Sequence, residues 1–155
     1  MLVDVIIFSK ERESELKASL DILSQYNLRV LVFHNNYRAI QIPRGYQNIE
    51  YFSCPNLNLS QRAKLAINHL VNPYSIICSD DDRLVKSQLL KMRQFLDQNQ
   101  QYATVGGSVV GAYQYGKRVT GSIAYREMQN YKNHFETPLE RIQSHIHMGQ
   151  INNLP

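Results

Sequence analysis

The fold is decided by the stretch Tyr74-Ser75-Ile76-Ile77-Cys78-Ser79-Asp80-Asp81-Asp82, in which a short apolar run ends in three consecutive aspartates. The apolar part has the length and the composition of a buried strand. Three adjacent carboxylates are costly beside such a strand, because two like charges about 4 Å apart repel by roughly 4 kcal/mol at an effective dielectric near 20. The stretch therefore predicts a strand with an acidic cluster at its carboxyl end.

Strands and amphipathic helices alternate on both sides of this stretch. Predicted strands cover residues 2–8, 29–33, 49–53 and 74–78. Helices are predicted at about 13–25, from an N-cap at Ser60 to Val71, and along the apolar face of Val85, Leu89, Met92 and Leu96. A fifth strand is predicted to start at 103–105, before Gly106-Gly107, followed by a hairpin of 109–115 and 118–125 and a short helix at 138–145.

This alternation predicts an α/β fold with a mostly parallel twisted sheet, helices on both of its faces, and a β-hairpin after the fifth strand. In such Rossmann-like sheets, ligands bind outside the carboxyl ends of the strands. Polar clusters follow four predicted strands, at residues 9–11, 34–36, 53–58 and 80–82. The fold would bring all four clusters to one edge of the sheet, so we expect a binding site there.

The acidic triplet, defined as Asp80, Asp81 and Asp82, favours a divalent cation. Carboxylate oxygens suit Mg²⁺ or Mn²⁺, which can bridge the phosphates of a nucleoside diphosphate and neutralise its charge as it leaves. The alternative is that Asp82 only caps the following helix while the other two carboxylates are solvated. The position of the triplet after the fourth strand of an α/β pattern favours the metal site.

The composition fits one globular domain of 155 residues, with 43% hydrophobic residues and a formal net charge of +4. No block of Lys and Arg resembles a nucleic-acid-binding patch, so we expect no nucleic-acid partner. Cys54 and Cys78 are expected to be buried free thiols, since neither belongs to a metal-binding pair. The absence of a signal-peptide pattern and of a segment of transmembrane length predicts a cytoplasmic protein.

Four segments occur in an informative order: residues 5–11 before a helix, residues 58–66 with a basic residue in the first helical turn, the strand leading into the acidic triplet, and Gly106-Gly107. This set resembles the donor-binding half of family-2-type GT-A glycosyltransferases, over roughly residues 1–112. The resemblance implies a metal-dependent enzyme that moves a sugar from a nucleoside diphosphate, with UDP favoured, to a glycan or another acceptor.

The resemblance also implies roles for individual residues. Asp80 and Asp82 would hold Mn²⁺ or Mg²⁺ and act in catalysis through it, while the general base is not identified. The implied nucleotide-sugar-binding residues are Phe8, Ser9, Lys10, Glu11, Asn35, Arg62, Asp80, Asp81 and Gly107. Asn35 stands where the family usually has an acidic residue that contacts the base, which leaves the base preference open.

Structural alternatives exist for these residues. Ser9 and Glu11 could cap the first helix, Arg62 could be a solvated residue of a first helical turn, and Asn35 could belong to a simple turn. Gly106-Gly107 could be only a strand break. His145 and His147 could share a metal in an extended segment, but a surface role is favoured because no further ligands lie nearby.

The expected organisation is a donor-binding domain at residues 1–125 and a partial acceptor-side segment or tail at 126–155. The chain is shorter than a complete enzyme of the family, so it could be inactive alone. A non-catalytic module that binds the nucleotide sugar is therefore the alternative function. A phospho-acceptor receiver domain is disfavoured because its acidic pair follows the first strand. The exposed hairpin also raises the hypothesis of a homo-oligomer.

Overall fold

The structure is a computed structural model that describes residues 3–37, 46–124, 137 and 140. It divides into two compact units, Met1–Thr104 and Val105–Pro155. The domain boundary predicted at residue 125 lies outside the described residues and stays a prediction, as does the role of the segment 126–155. No helix in the described ranges is long and apolar enough to cross a membrane.

The first unit alternates strands and helices as the sequence predicts. Its elements are β1 (Val3–Ser9), α1 (Glu13–Leu23), β2 (Arg29–His34), β3 (Ile49–Ser53), α2 (Leu59–Asn68), β4 (Tyr74–Ser79) and α3 (Lys86–Gln98). The four strands form one sheet in the order β3-β2-β1-β4, and every pair of neighbours is parallel. The predicted α/β class with a parallel sheet is therefore confirmed.

The helices cover both faces of the sheet because neighbouring strand residues point to opposite sides. On one face, Val5 and Ile7 of β1 join a buried cluster that includes Leu16 of α1 and Leu89 of α3. On the other face, Ile6 of β1 joins a second cluster that includes Ala66 of α2. The apolar run of β1 is thus buried on both sides, as expected for a central parallel strand.

Three helix boundaries differ from the sequence prediction, and one of them is the end of α2, which lies at Asn68 and not at Val71. The N-cap of α2 is Asn58 and not Ser60, because Asn58 and Gln61 form a reciprocal capping box. The Asn58 side chain accepts a hydrogen bond from the Gln61 backbone at 3.0 Å, and the Gln61 side chain accepts one from the Asn58 backbone at 2.9 Å. Helix α1 ends at Leu23, two residues before the predicted end.

Both cysteines are buried free thiols, as predicted. Burial raises the pKa of the Cys78 thiol to about 11, and the neighbouring carboxylate of Asp82 adds to the effect. A thiol with such a pKa is mostly protonated at neutral pH and is a poor nucleophile or metal ligand.

The second unit contains the predicted hairpin, formed by β5 (Val109–Tyr115) and the antiparallel strand β6 (Arg118–Ala124). Gly116 in its turn has φ 59°, a left-handed value that glycine adopts without strain. The strand expected to start at 103–105 does not form, since residues 103–108 belong to no helix or strand. A β-strand needs backbone hydrogen bonds to a neighbouring strand, and this short segment has no such pairing. The predicted helix at 138–145 lies outside the described residues except for Glu140, which is helical.

Candidate functional site

The carboxyl ends of β1, β2 and β4 meet at one edge of the sheet. The register pairs Ser9 of β1 with His34 of β2, and Phe8 of β1 with Ser79 of β4. The chain winds from β1 through β2 to β3 and then crosses back to place β4 on the other side of β1. In folds of this kind, ligands bind outside the carboxyl ends of the strands at such a reversal, which here lies between β1 and β4.

Asp80 directly follows β4, beside the end of β1, and is held from two sides. Asp80 is only 4% exposed, and its Oδ2 accepts a hydrogen bond of 2.7 Å from the Ser9 hydroxyl. The buried hydroxyl of Ser19 in α1 donates to the Asp80 backbone carbonyl at 2.6 Å. Ser9 and Asp80 are thus brought together as predicted, although 71 residues separate them in the sequence.

Arg12 is the basic residue that the structure adds to the predicted site. Its Nη1 lies 2.6 Å from Oδ2 of Asp81 and 3.4 Å from Oδ1 of Asp80. Sequence reasoning named Lys10 and Glu11 but passed over Arg12. The usable signal was its place directly after the polar cluster at residues 9–11, at the edge that also carries an acidic cluster in need of positive charge.

The other two aspartates are exposed to solvent. Asp81 accepts a hydrogen bond from the Ser79 hydroxyl, which lowers the pKa of its carboxyl, and the charge of Arg12 acts in the same direction. Within the described residues, the Asp82 carboxylate makes no hydrogen bond and no ion pair. The N-cap of α3 is Val85, so Asp82 does not cap that helix.

The donor set is chemically suited to a divalent cation that arrives with phosphates. Carboxylate oxygens at Asp80 and Asp82 are hard ligands, and Mg²⁺ commonly uses one or two carboxylates together with substrate phosphates and water. Across residues 3–37 and 46–124, no group of three or more His, Cys, Asp or Glu side chains is arranged to hold a metal by itself. A preformed protein cage therefore does not fit, and the metal ligands stay a prediction.

Arg62 in the first turn of α2 is buried and not solvated, which overturns the alternative considered for it. Its Nη1 donates to the backbone carbonyls of Ser9 at 3.0 Å and Phe33 at 3.1 Å. Its guanidinium carbon lies 5.8 Å from the centre of the Phe8 ring. Arg62 therefore ties the ends of β1 and β2 together, and its predicted contact with the base or the diphosphate stays a prediction.

The remaining predicted residues are placed less tightly. Lys10 and Glu11 are exposed, and Nζ of Lys10 lies 4.0 Å from Oε1 of Glu11. Asn35 is half-buried, and its backbone amide donates a hydrogen bond of 3.0 Å to the Ser9 carbonyl. Neither Ser9 nor Glu11 caps α1, whose N-cap position is Arg12 without a capping hydrogen bond. Gly107 is exposed and belongs to the second unit, so its role near the donor sugar also stays a prediction.

His34 is a second residue of the carboxyl edge that sequence reasoning did not select as a site residue. The residue is 0% exposed, and neither ring nitrogen has a hydrogen-bond partner in the described part of the chain. Its ring lies 5.8 Å from that of Tyr51 in β3. Burial lowers the pKa of His34, because the charged imidazolium cannot be solvated there.

We expect His34→Leu to raise the free energy of unfolding by about 1–3 kcal/mol, because it removes buried polar atoms that lack partners. Because the pKa of His34 is lowered in the folded state, its ionisation costs the fold nothing above the ordinary value of about 6.5 and destabilises the fold increasingly as the pH falls below that value. Urea unfolding at pH values on both sides of that point should therefore show that the free energy of unfolding falls less on acidification in the variant than in wild type. A destabilised His34→Leu protein would indicate that the ring nitrogens do have partners.

A shallow cavity lies at the opposite, amino edge of the sheet. Its lining residues are Asn27, Leu28, Arg29, Gln47, Asn48 and Glu50. Arg29 and Glu50 form an ion pair there, with Nε and Oε1 2.6 Å apart. The cavity contains none of the predicted site residues, and the carboxyl edge remains the candidate site.

The fold of this chain, a parallel sheet with helices on both faces followed by an antiparallel hairpin, is similar to a fold found in a solved glycosyltransferase. A solved structure with this similarity is that of residues 1–349 of TarS from S. aureus, a glycosyltransferase. The TM-score is 0.55 at 16% sequence identity, over 71% of this chain and 34% of the TarS chain. The matched region is thus about a third of the TarS chain. No protein-family model matches the sequence, and no curated protein matches it.

Proposed function

We propose that this domain binds a nucleoside diphosphate sugar at the carboxyl edge of its sheet and forms the donor site of a glycosyltransferase. UDP is the favoured nucleotide, and Mn²⁺ or Mg²⁺ is the proposed cofactor. One observation carries the proposal: Asp80, next to two exposed aspartates, is buried at the carboxyl ends of β1 and β4 and fixed by Ser9. The similarity of the fold to a glycosyltransferase supports the same reading.

The proposed roles follow from how each carboxylate is held. Asp80 is fixed by a hydrogen bond to Ser9 and by an ion pair to Arg12, so it provides a rigid anchor for the ribose or the cation. Asp82 is exposed and makes no ion pair within the described ranges, so it is available as a ligand. When bound, the cation would supply charge neutralisation for the departing diphosphate.

The residues of β1 and its continuation would contact the nucleotide. The Phe8 ring is half-buried at the end of β1 and could pack against the base or ribose. Lys10 and Glu11 are exposed at the same end, and Asn35 follows the neighbouring strand. The Asn35 amide both donates and accepts hydrogen bonds, so it can serve more than one base.

The first experiment is isothermal calorimetry of UDP binding, with and without Mn²⁺, to the wild type and to Asp82→Ala. We expect wild-type binding that requires Mn²⁺, and a loss of at least about tenfold in Asp82→Ala, since one of few metal ligands is removed. Asp97→Ala is the matched control, because Asp97 is a surface carboxylate that pairs with Arg93 and Tyr74 at the other end of β4.

The outcomes separate the candidate functions. Binding that needs both Mn²⁺ and Asp82, together with transfer to an acceptor from a glycan panel, supports the enzyme. Binding with no transfer supports the non-catalytic donor-binding module. The proposal is rejected if UDP, GDP and TDP all fail to bind the wild type with Mn²⁺, or if Asp97→Ala loses as much affinity as Asp82→Ala.

A further inference from the structure

Arg12 places positive charge on the acidic triplet. Its Nη1 is 2.6 Å from Asp81 Oδ2 and 3.4 Å from Asp80 Oδ1. One guanidinium therefore compensates two of the three carboxylates. A divalent cation held by Asp80 and Asp82 would share Asp80 with Arg12 and would lie beside Asp81, so the two positive charges would compete for the acidic triplet.

The local backbone does not favour this place for Arg12. Arg12 is the N-cap residue of α1 and makes no capping hydrogen bond, and a cation at a helix N-terminus opposes the helix dipole. Glu11, just before it, has φ 59°, which is unfavourable for a residue with a side chain. Attraction to Asp80 and Asp81 acts in the direction opposite to both costs.

The contact can be exchanged without dismantling the site. The side chain of Arg12 is 53% exposed and that of Asp81 is 47% exposed, so water and salt screen their attraction. Asp80, in contrast, also accepts a buried hydrogen bond from Ser9 that does not involve Arg12. Release of Arg12 would therefore free the carboxylates and leave Asp80 in position.

We propose that Arg12 is an exchangeable counter-ion of the acidic triplet, which yields its carboxylates to the divalent cation and then pairs with the diphosphate. The proposal rests on the proposed donor site. A guanidinium matches the oxygens of a phosphate with two parallel hydrogen bonds, which suits it to both partners. Arg12 would thus lower the affinity for the cation alone and raise the affinity for the nucleotide with its cation.

The test compares wild type, Arg12→Gln and Arg93→Gln, a matched loss of a partly exposed arginine that pairs with Asp97 on α3. Mn²⁺ alone is titrated by electron paramagnetic resonance of the free ion. We expect Arg12→Gln to bind Mn²⁺ about fivefold more tightly than wild type, the effect of losing a surface ion pair that competes. With saturating Mn²⁺, calorimetry should show Arg12→Gln binding UDP about tenfold more weakly, and Arg93→Gln should change neither value.

Arg12→Lys is the second variant, which keeps the charge but lacks the planar guanidinium. Its affinities for Mn²⁺ and for UDP should lie between those of wild type and Arg12→Gln. Unchanged or weaker Mn²⁺ binding by Arg12→Gln overturns the proposal, and so does a failure of both wild type and Arg12→Gln to bind Mn²⁺. Tighter Mn²⁺ binding without UDP binding in any variant supports the counter-ion role but overturns the diphosphate contact and the proposed function. Circular dichroism checks that each variant is folded.

Discussion

Asp4→Ala should lower the free energy of unfolding by about 3–5 kcal/mol, the usual effect of removing one partner from a buried charged network. Asp4 of β1 is fully buried, and its Oδ2 accepts hydrogen bonds from the backbone amides of Val71 at 2.9 Å and Asn72 at 3.1 Å. Its Oδ1 accepts from the Asn72 side chain at 2.6 Å and lies 3.4 Å from Nη1 of Arg29. Without the carboxylate, these donors lose their partner inside the protein.

Asp4→Asn tests the same network with almost no change in volume. The Asn side chain would place its NH₂ group against hydrogen-bond donors but would keep one accepting oxygen. We therefore expect the free energy of unfolding to fall by about 2–3 kcal/mol, less than in Asp4→Ala. Asp97→Asn is the control, since Asp97 is a surface carboxylate with partners on α3 and β4. Urea unfolding gives all three values, and an Asp4→Ala protein within about 1 kcal/mol of wild type would contradict the network.

The same carboxylate should make stability depend on pH. Burial would raise the pKa of Asp4, but hydrogen bonds from Asn72 and Val71 and the charge of Arg29 together bring the pKa below its ordinary value. A carboxyl with a depressed pKa stabilises the fold above its unfolded value of about 3.9, and this contribution is lost as the pH falls through the folded value. The acid loss of stability should therefore be shallower in Asp4→Asn than in wild type.

Arg62→Met should lower the free energy of unfolding by about 2–4 kcal/mol, because two hydrogen bonds to a charged donor are lost at a buried site. Both accepting carbonyls, those of Ser9 and Phe33, lie at the ends of neighbouring strands. Arg62→Lys keeps the charge but lacks the planar guanidinium, so its free energy of unfolding should lie between those of Arg62→Met and wild type. Arg93→Met, on the surface of α3, should stay within about 0.5 kcal/mol of wild type.

This experiment also distinguishes the two roles considered for Arg62. A structural role predicts that Arg62→Met loses stability in urea unfolding, with or without nucleotide. A role limited to nucleotide binding predicts a variant with wild-type stability whose UDP affinity alone falls. Stability equal to that of wild type would therefore contradict the assignment of Arg62 to the joint between β1 and β2.

Much of the fold could be predicted from the sequence. Apolar runs of strand length alternate with helices of period 3.6, and such alternation leaves few arrangements other than a parallel sheet covered on both faces. Because parallel strands end at the same edge, the position of the acidic triplet after a predicted strand was enough to place it at the carboxyl edge of the sheet. The segment 103–105 was a wrong prediction because three residues of strand-like composition do not specify a pairing partner.

The particular contacts of the site depended on the tertiary structure. Asp4 lies within an apolar run, and nothing local to β1 indicates that the turn after α2 supplies its hydrogen-bond donors. Arg62 occupies a first helical turn where a solvated side chain is common, yet the packing of α2 directs it to the ends of two strands. Sequence periodicity gives the face on which a side chain lies, but not the element that meets it there.

The sequence by itself determined the class of fold, the edge of the sheet that carries the polar residues, and the place of Asp80 at that edge. Only the tertiary structure decided that Ser9 fixes Asp80 and that Arg12 compensates Asp80 and Asp81. It also decided that His34 is buried with no hydrogen-bond partner for its ring nitrogens among the described residues. The physical reason is distance along the chain. Secondary structure follows from interactions among near neighbours, whereas these contacts join residues brought together by the strand order β3-β2-β1-β4 and the packing of α1 on the sheet.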